Sequence, residues 1–280
     1  MLKLLRANFT RLIKSATFWI FFSAYVLYSI LTPIITRFFP YDPTFDSSAK
    51  ILSLGYGMIG LPIPAAVVAF ICSVIFGAEF QSGTLKNKII LSYRKSQIYA
   101  ANLLTTSIIS VALIIVYQLF FCVITLPLFG KITVPAKNVY LLMLEGTLMI
   151  LAYSSIFTFI TMTSKNQIAA LILSLALIIA SYFLVILVFD AVLRIPHYIY
   201  VDAELFGIPY RKKVPNPELP GKATLDFCRF MLDFLPTGQD LQLTLEREFT
   251  FRWQTVLYDI GWICATGGAG MLIFNKTNLK

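Results

Sequence analysis

The sequence predicts an all-α integral membrane protein with six transmembrane helices, and three observations carry that prediction. Hydrophobic residues make up 58% of the 280-residue chain and charged residues 13%, against about a quarter charged in soluble domains. Six apolar stretches each reach the roughly 20 residues a helix needs to cross a bilayer core. Basic residues gather on one side of those stretches, as topology determinants do. Residues 1–280 therefore read as one transmembrane domain, with 190–252 inserted outside the membrane between the last two spans.

Taken in order, residues 1–15 come first. Leu2, Leu5, Phe9, Leu12 and Ile13 fall on one helical face, with Lys3, Arg6, Asn8 and Lys14 mostly elsewhere. That periodicity predicts an amphipathic helix on the inner membrane surface. The segment lacks the short apolar core and small-residue cleavage site of a signal peptide. The spans follow at 17–38, 57–78, 98–128, 139–163, 167–189 and 254–274. Pro62 and Pro64 predict an irregular entry to the second span, with protein packed around the freed backbone groups. The third is long enough to tilt, or to break near Pro127. The 24 Phe and 14 Tyr suit lipid-facing helices with interfacial belts.

In the 190–252 insertion, six prolines (Pro196, Pro209, Pro215, Pro217, Pro220 and Pro236) predict a turn-rich first half. Asp226, Arg229 and Asp233 then share one face of an otherwise apolar run, so a short helix should cap the spans or lie on the outer leaflet. Leu235-Pro236-Thr237-Gly238 resembles a sortase signal. It lacks the residue between Pro and Thr and precedes a full span, which argues against wall anchoring.

Charge fixes the orientation. Lys3, Arg6, Arg11, Lys14, Lys86, Lys88, Arg94, Lys95, Lys165, Lys276 and Lys280 lie on one side, and the short connections opposite offer Arg37, Lys50, Lys131 and Lys137. The positive-inside rule puts both termini in the cytoplasm. The net charge of +9 follows these span ends instead of forming a nucleic-acid footprint.

Several chemistries are excluded. Three of the four cysteines sit in apolar spans, no Cys/His spacing predicts a metal site, and His197 is the single histidine, which rules out HExxH ligand sets. There is no GxSxG elbow, no GxxxxGK[ST] and no GxGxxG. No cofactor is expected on this chain. Glu145 and Asp259, each about two turns inside a span from its outer end, are a candidate intramembrane polar site, because charge in a bilayer is costly. They could line an outward polar vestibule or pair with Arg37 or Arg252, and hydrogen bonding between packed helices is the plainer explanation for them. Gly261, Ala265, Gly267, Gly268 and Gly270 predict close helix packing in the sixth span.

The polar hairpin between the second and third spans carries the remaining signal. It reads Glu79…Gly83-Thr84-Leu85-Lys86, then Ser92 and Arg94. Gly83 can end a helical turn and Thr84 can cap the next helix. Lys86, Lys88, Arg94 and Lys95 offer a cationic surface to an acidic groove or to anionic lipid. The pattern resembles the E-x-x-x-G-T-[LF]-[KR]…R signature of type-2 ABC exporter permeases. The architecture is similar to that family over most of the chain, the motif over about twenty residues. Within it, the chain looks most like bacterial peptide-export and bacteriocin-immunity permeases. Two features depart from the pattern: Tyr93 stands where Pro or Ser often precedes the arginine, and the outer segment is long.

The resemblance implies that Glu79, Gln81, Gly83, Thr84, Leu85, Lys86, Lys88 and Arg94 form a cytoplasmic coupling helix docking on a separate ATPase subunit. That subunit, in two copies, would bind ATP and magnesium. A second permease copy or a sister permease would complete the unit. The implied function is export of an amphipathic peptide, lipid-like molecule or antimicrobial across the bacterial plasma membrane, with no catalysis in this chain. Two alternatives stay open: a membrane sensor or anchor using 190–252, and an ion-coupled transporter using Glu145 and Asp259.

Overall fold

The computed structural model describes residues 1–38, 62–129, 135–189, 195, 198–205, 208–217, 220–245 and 251–277. Helix α1 (Leu2–Lys14) is amphipathic. Ser15 leaves the helix in extended backbone, and its Oγ accepts from Phe18 N at 3.4 Å to start α2 (Ala16–Phe38). The stripe α1 buries is Leu4, Asn8 and Leu12, while Leu2 and Ile13 face outward. The helix therefore packs on the protein along this stripe. The reason is Asn8, which finds amide and hydroxyl partners inside the bundle.

Helix α3 is described over Pro62–Gln81, with Pro62 and Pro64 in its first described turn. Cys72–Phe76 form a π turn within it. The expected start of this span at 57 lies outside the described residues. Helix α4 (Thr84–Ile90) follows as a short hairpin arm. Helix α5 (Lys95–Phe129) is continuous through Pro127. Pro127 has no N–H for the Val123 carbonyl four residues back, so one backbone hydrogen bond of the helix is lost there. At 1.5 Å per residue it is roughly 50 Å long, well beyond the hydrocarbon thickness.

Helices α6 (Ala136–Ser164) and α7 (Gln167–Val188) are joined by two residues. Lys165 turns the chain in the left-handed region and Asn166 caps α7, its Oδ1 accepting from Ile168 N at 2.9 Å and Ala169 N at 3.3 Å. The 195–217 stretch holds an antiparallel hairpin, β1 (Tyr198–Leu205) and β2 (Ile208–Pro215), with Tyr198 opposite Pro215 and Glu204 opposite Pro209. Each strand of a two-stranded ribbon has a free edge, where proline costs no ladder bond. This corrects the expectation of turns alone. Then come α8 (Lys222–Phe234), α9 (Pro236–Leu245) and α10 (Trp253–Lys276).

Six of these helices, α2, α3, α5, α6, α7 and α10, are long and apolar enough to cross a membrane. The chain is thus an all-α multi-pass membrane protein carrying one small β-hairpin. Helix α6 sits centrally, touching α3, α5, α7, α9 and α10. Tyr25 and Tyr28 of α2 stack with Tyr117 of α5 at 6.2 and 6.1 Å between ring centroids, and Tyr117 with Phe121 at 5.6 Å. The glycines of α10 divide. A Cβ on Gly270 would overlap the Tyr99 ring and one on Gly267 would touch Leu103, whereas Gly261 and Gly268 face open space. Leu4, Leu85, Ile98, Tyr99, Met162 and Phe274 share one buried cluster, which brings α1, α4, and the adjoining ends of α5, α6 and α10 to the same face of the bundle.

Candidate functional site: a charged elbow on the termini face

Gly83, at φ +70°, turns α3 back into α4. The left-handed region is strained for residues with a Cβ and open to glycine. The Ser82 hydroxyl donates to the Ala78 carbonyl at 2.8 Å and lies 3.2 Å from Thr84 Oγ1, which holds the bend. Leu85 and Lys88, three residues apart, then point inward on one side of α4. Leu85 is buried, while Lys86, Asn87 and Ile90 are exposed.

Glu79, the last acidic group of α3, has no solvent exposure. Its Oε1 takes Arg11 Nη2 of α1 at 2.6 Å and Lys88 Nζ of α4 at 2.5 Å. Charge-assisted bonds of this length offset the desolvation of the carboxylate. Arg11 Nη2 also donates to the Ile75 carbonyl in the π turn at 2.9 Å. Lys88 Nζ donates to Asn8 Oδ1 at 3.1 Å, and Asn8 Nδ2 to Asn102 Oδ1 at 2.9 Å and Thr105 Oγ1 at 3.3 Å. One polar chain thus ties α1, α3, α4 and α5 together. Burial lowers the pKa of the Lys88 ammonium, and the Glu79 charge opposes that shift.

The eight residues expected to face a partner are therefore sorted. Glu79, Leu85 and Lys88 turn inward, Gly83 and Thr84 make the half-buried bend, and Gln81, Lys86 and Arg94 are exposed. Sequence reasoning missed Arg11, Asn8 and Asn102 as members of the site. It also missed Ile90 and Leu91, which are 77% and 71% exposed at the tip of the hairpin. A signal for Arg11 existed: Glu79 is the one acidic residue between Asp46 and Glu145, and none precedes Asp42. A lone carboxylate in so basic a region needs nearby cations.

A second polar cluster lies at the opposite end of the spans. Glu145 of α6, 3% exposed, accepts from Thr255 Oγ1 of α10 at 2.7 Å. Asp259 of α10 is fully buried and accepts from Gln239 Nε2 of α9 at 3.3 Å. The neighbouring Asp240, not foreseen from the sequence, is also fully buried and takes a short hydrogen bond from the Tyr182 hydroxyl of α7. Burial pushes the Asp240 carboxyl up to about 8, against the opposing effect of the Tyr182 bond. Of the bases expected nearby, Arg252 reaches Asp233 of α8 at 3.1 Å and Gln242 at 2.5 Å. The Arg37 side chain lies outside the described residues. Pro236 to Leu241 are buried without interruption, so α9 is docked into the bundle.

A helical bundle of six spans, braced on one face by an amphipathic first helix and a polar hairpin after the second span, defines a transporter-type membrane component. The profile of a family described as "ABC-2 family transporter protein" matches residues 4–181. That is more than half of the chain, and the chain belongs to this family: it is a membrane permease component of an ABC transporter, and the family is non-catalytic. The match takes in α1 through most of α7, and so the whole elbow and Glu145. The β-hairpin, α8, α9 and α10, with Asp240 and Asp259, lie beyond it. No curated protein matches the sequence.

Proposed function

We propose that this chain is the permease subunit of an ATP-driven exporter in a bacterial plasma membrane, with the termini face in the cytoplasm. The elbow is the observation that carries this. Its inner side is fixed by Glu79, Arg11 and Lys88, and its outer side presents Lys86, Ile90, Leu91 and Arg94. An apolar tip flanked by cations suits an acidic groove on an ATPase subunit. Two such subunits would bind ATP and magnesium, and their closure would push α4. Glu79 would pass that push to α3 and α1. A second copy, or a sister permease, completes the unit. The cargo is an amphipathic peptide, a lipid-like molecule or an antimicrobial, since apolar aromatic walls hold such molecules by burial.

The test is purification of the tagged chain from its native membrane in mild detergent. An ATPase subunit retained by the wild type and lost from a Lys86→Glu, Arg94→Glu double variant that melts normally supports the proposal. Failure of any ATPase to accompany the wild type under several gentle conditions ends it. Ion coupling is a second reading, favoured by the three buried carboxyls around α9. Loss of transport in Glu145→Gln or Asp259→Asn, with intact expression and retained ATPase, would support it.

A further inference from the structure

The junction of α1 and α2 walls a cleft of about 210 Å³ whose lining is mixed in a particular way. Arg11, Ser15, Ser82 and Thr84 supply a guanidinium and three hydroxyls, and Val74, Ile75 and Ala78 supply apolar wall. Arg11 meets Glu79 and Ile75 through Nη2, and a guanidinium has further donors on Nε and Nη1 for another acceptor. Its side chain is 37% exposed, so that acceptor can come from outside.

Charge at this place is out of balance. Glu79 faces two cations, and the surrounding sequence holds no other carboxylate from Met1 to Tyr41 or from Ser47 to Leu144. An anion would therefore complete the cluster. Ser15 stands between a surface helix and a span, and Ser82 just past the end of another, so the cleft lies at headgroup depth. Another face of α1 walls an apolar groove of about 170 Å³, lined by Phe9, Leu12, Ile13, Phe18, Phe22 and Ile108 among others.

We infer that this cleft binds the phosphate of one anionic phospholipid. Arginine is the residue best shaped for a phosphate oxygen pair, the Ser15 hydroxyl, which accepts from Phe18 N, keeps its own proton to donate, and the apolar wall takes the start of the lipid's chain. Bound there, the lipid shares Arg11 with Glu79 and so touches the brace between α1 and α4. The site stands independently of the transporter cargo.

Native mass spectrometry of the delipidated full chain tests this, with phosphatidylglycerol, phosphatidylcholine of the same chains, and inorganic phosphate as probes. One phosphatidylglycerol should be retained at about tenfold lower concentration than phosphatidylcholine, a difference of ~1.4 kcal/mol. Arg11→Gln and the cleft-filling Ala78→Phe should abolish that preference, and Lys14→Gln, outside the cleft on the same helix, should keep it. Should Arg11→Gln fail to fold, Ala78→Phe and Thr84→Val decide the matter with every charge in place. Equal retention of the two lipids overturns the proposal. So does an equal loss in Lys14→Gln, or full retention in Ala78→Phe. Displacement of the lipid by inorganic phosphate at micromolar concentration would assign the site to a free anion and overturn the lipid source.

Discussion

The two polar clusters, at opposite ends of the same spans, solve the burial of a carboxylate in different ways. At the elbow Glu79 is held between a guanidinium and an ammonium. Around α9, Asp240, Asp259 and Glu145 take hydrogen bonds from a phenol, an amide and a hydroxyl. Burial pushes the Asp240 carboxyl up to about 8. The first cluster is a brace between charges and the second a latch sensitive to protons.

The largest effect expected is at Glu79. Glu79→Ala leaves Lys88 facing Arg11 without a counter-charge and should cost on the order of 3 kcal/mol, toward the low end for breaking a buried pair because Arg11 reaches water. Thermal unfolding in detergent measures it, and adding Lys88→Met should recover part of the loss. An unchanged melting temperature would mean that charge does not hold the elbow.

Next comes Asp240. Asp240→Ala strands the Tyr182 hydroxyl and should cost roughly 2 to 3 kcal/mol. The pH dependence is the sharper test. The folded carboxyl holds its proton up to about pH 8, while the unfolded one releases it near 3.8. Between those values only the folded state keeps the proton, so stability should fall as pH rises from about 4 to about 8 and level off beyond. Melting curves across that range should slope in the wild type and slope less steeply in Asp240→Asn. A wild type with no slope would refute the latch.

Thr255→Val removes the donor to Glu145 and should cost about 1.5 kcal/mol, with Thr255→Ser close to wild type in the same melts. Smallest is Gly83→Ala, about 1 kcal/mol for a Cβ in the left-handed region, since the position itself is open space. A destabilisation there as large as at Glu79 would show that the bend, not the ion cluster, sets the elbow.

The spans were legible because long apolar runs have few alternatives in a chain of this composition. What escaped was set by tertiary contact. Leu4 and Asn8 were overlooked because the stripe of Leu2, Leu5, Phe9, Leu12 and Ile13 reads as a membrane face, whereas Leu12 is buried and Phe9 packs against the core, and hydropathy does not distinguish a lipid face from a protein face. The hairpin at 198–215 was hidden by its prolines, which free strand edges accept. Asp240 was hidden because Pro236-Thr237-Gly238 reads as a turn, although proline suits the first position of a helix such as α9. The motif at Glu79 was visible, but not that its carboxylate would be spent on Arg11 and Lys88 inside the chain.

The π turn at Cys72–Phe76 acts as a phase setting for everything after it. An added residue advances the helical screw by about 100°, one step of a 3.6-residue turn. Glu79 lies three positions past that turn and owes its heading toward Arg11 to the extra step. Loss of one codon between 72 and 76 would leave the span's length and hydropathy nearly intact, yet swing the carboxylate away from both cations. A single-residue gap in this otherwise unremarkable stretch of apolar sequence would therefore disconnect α4 from α3.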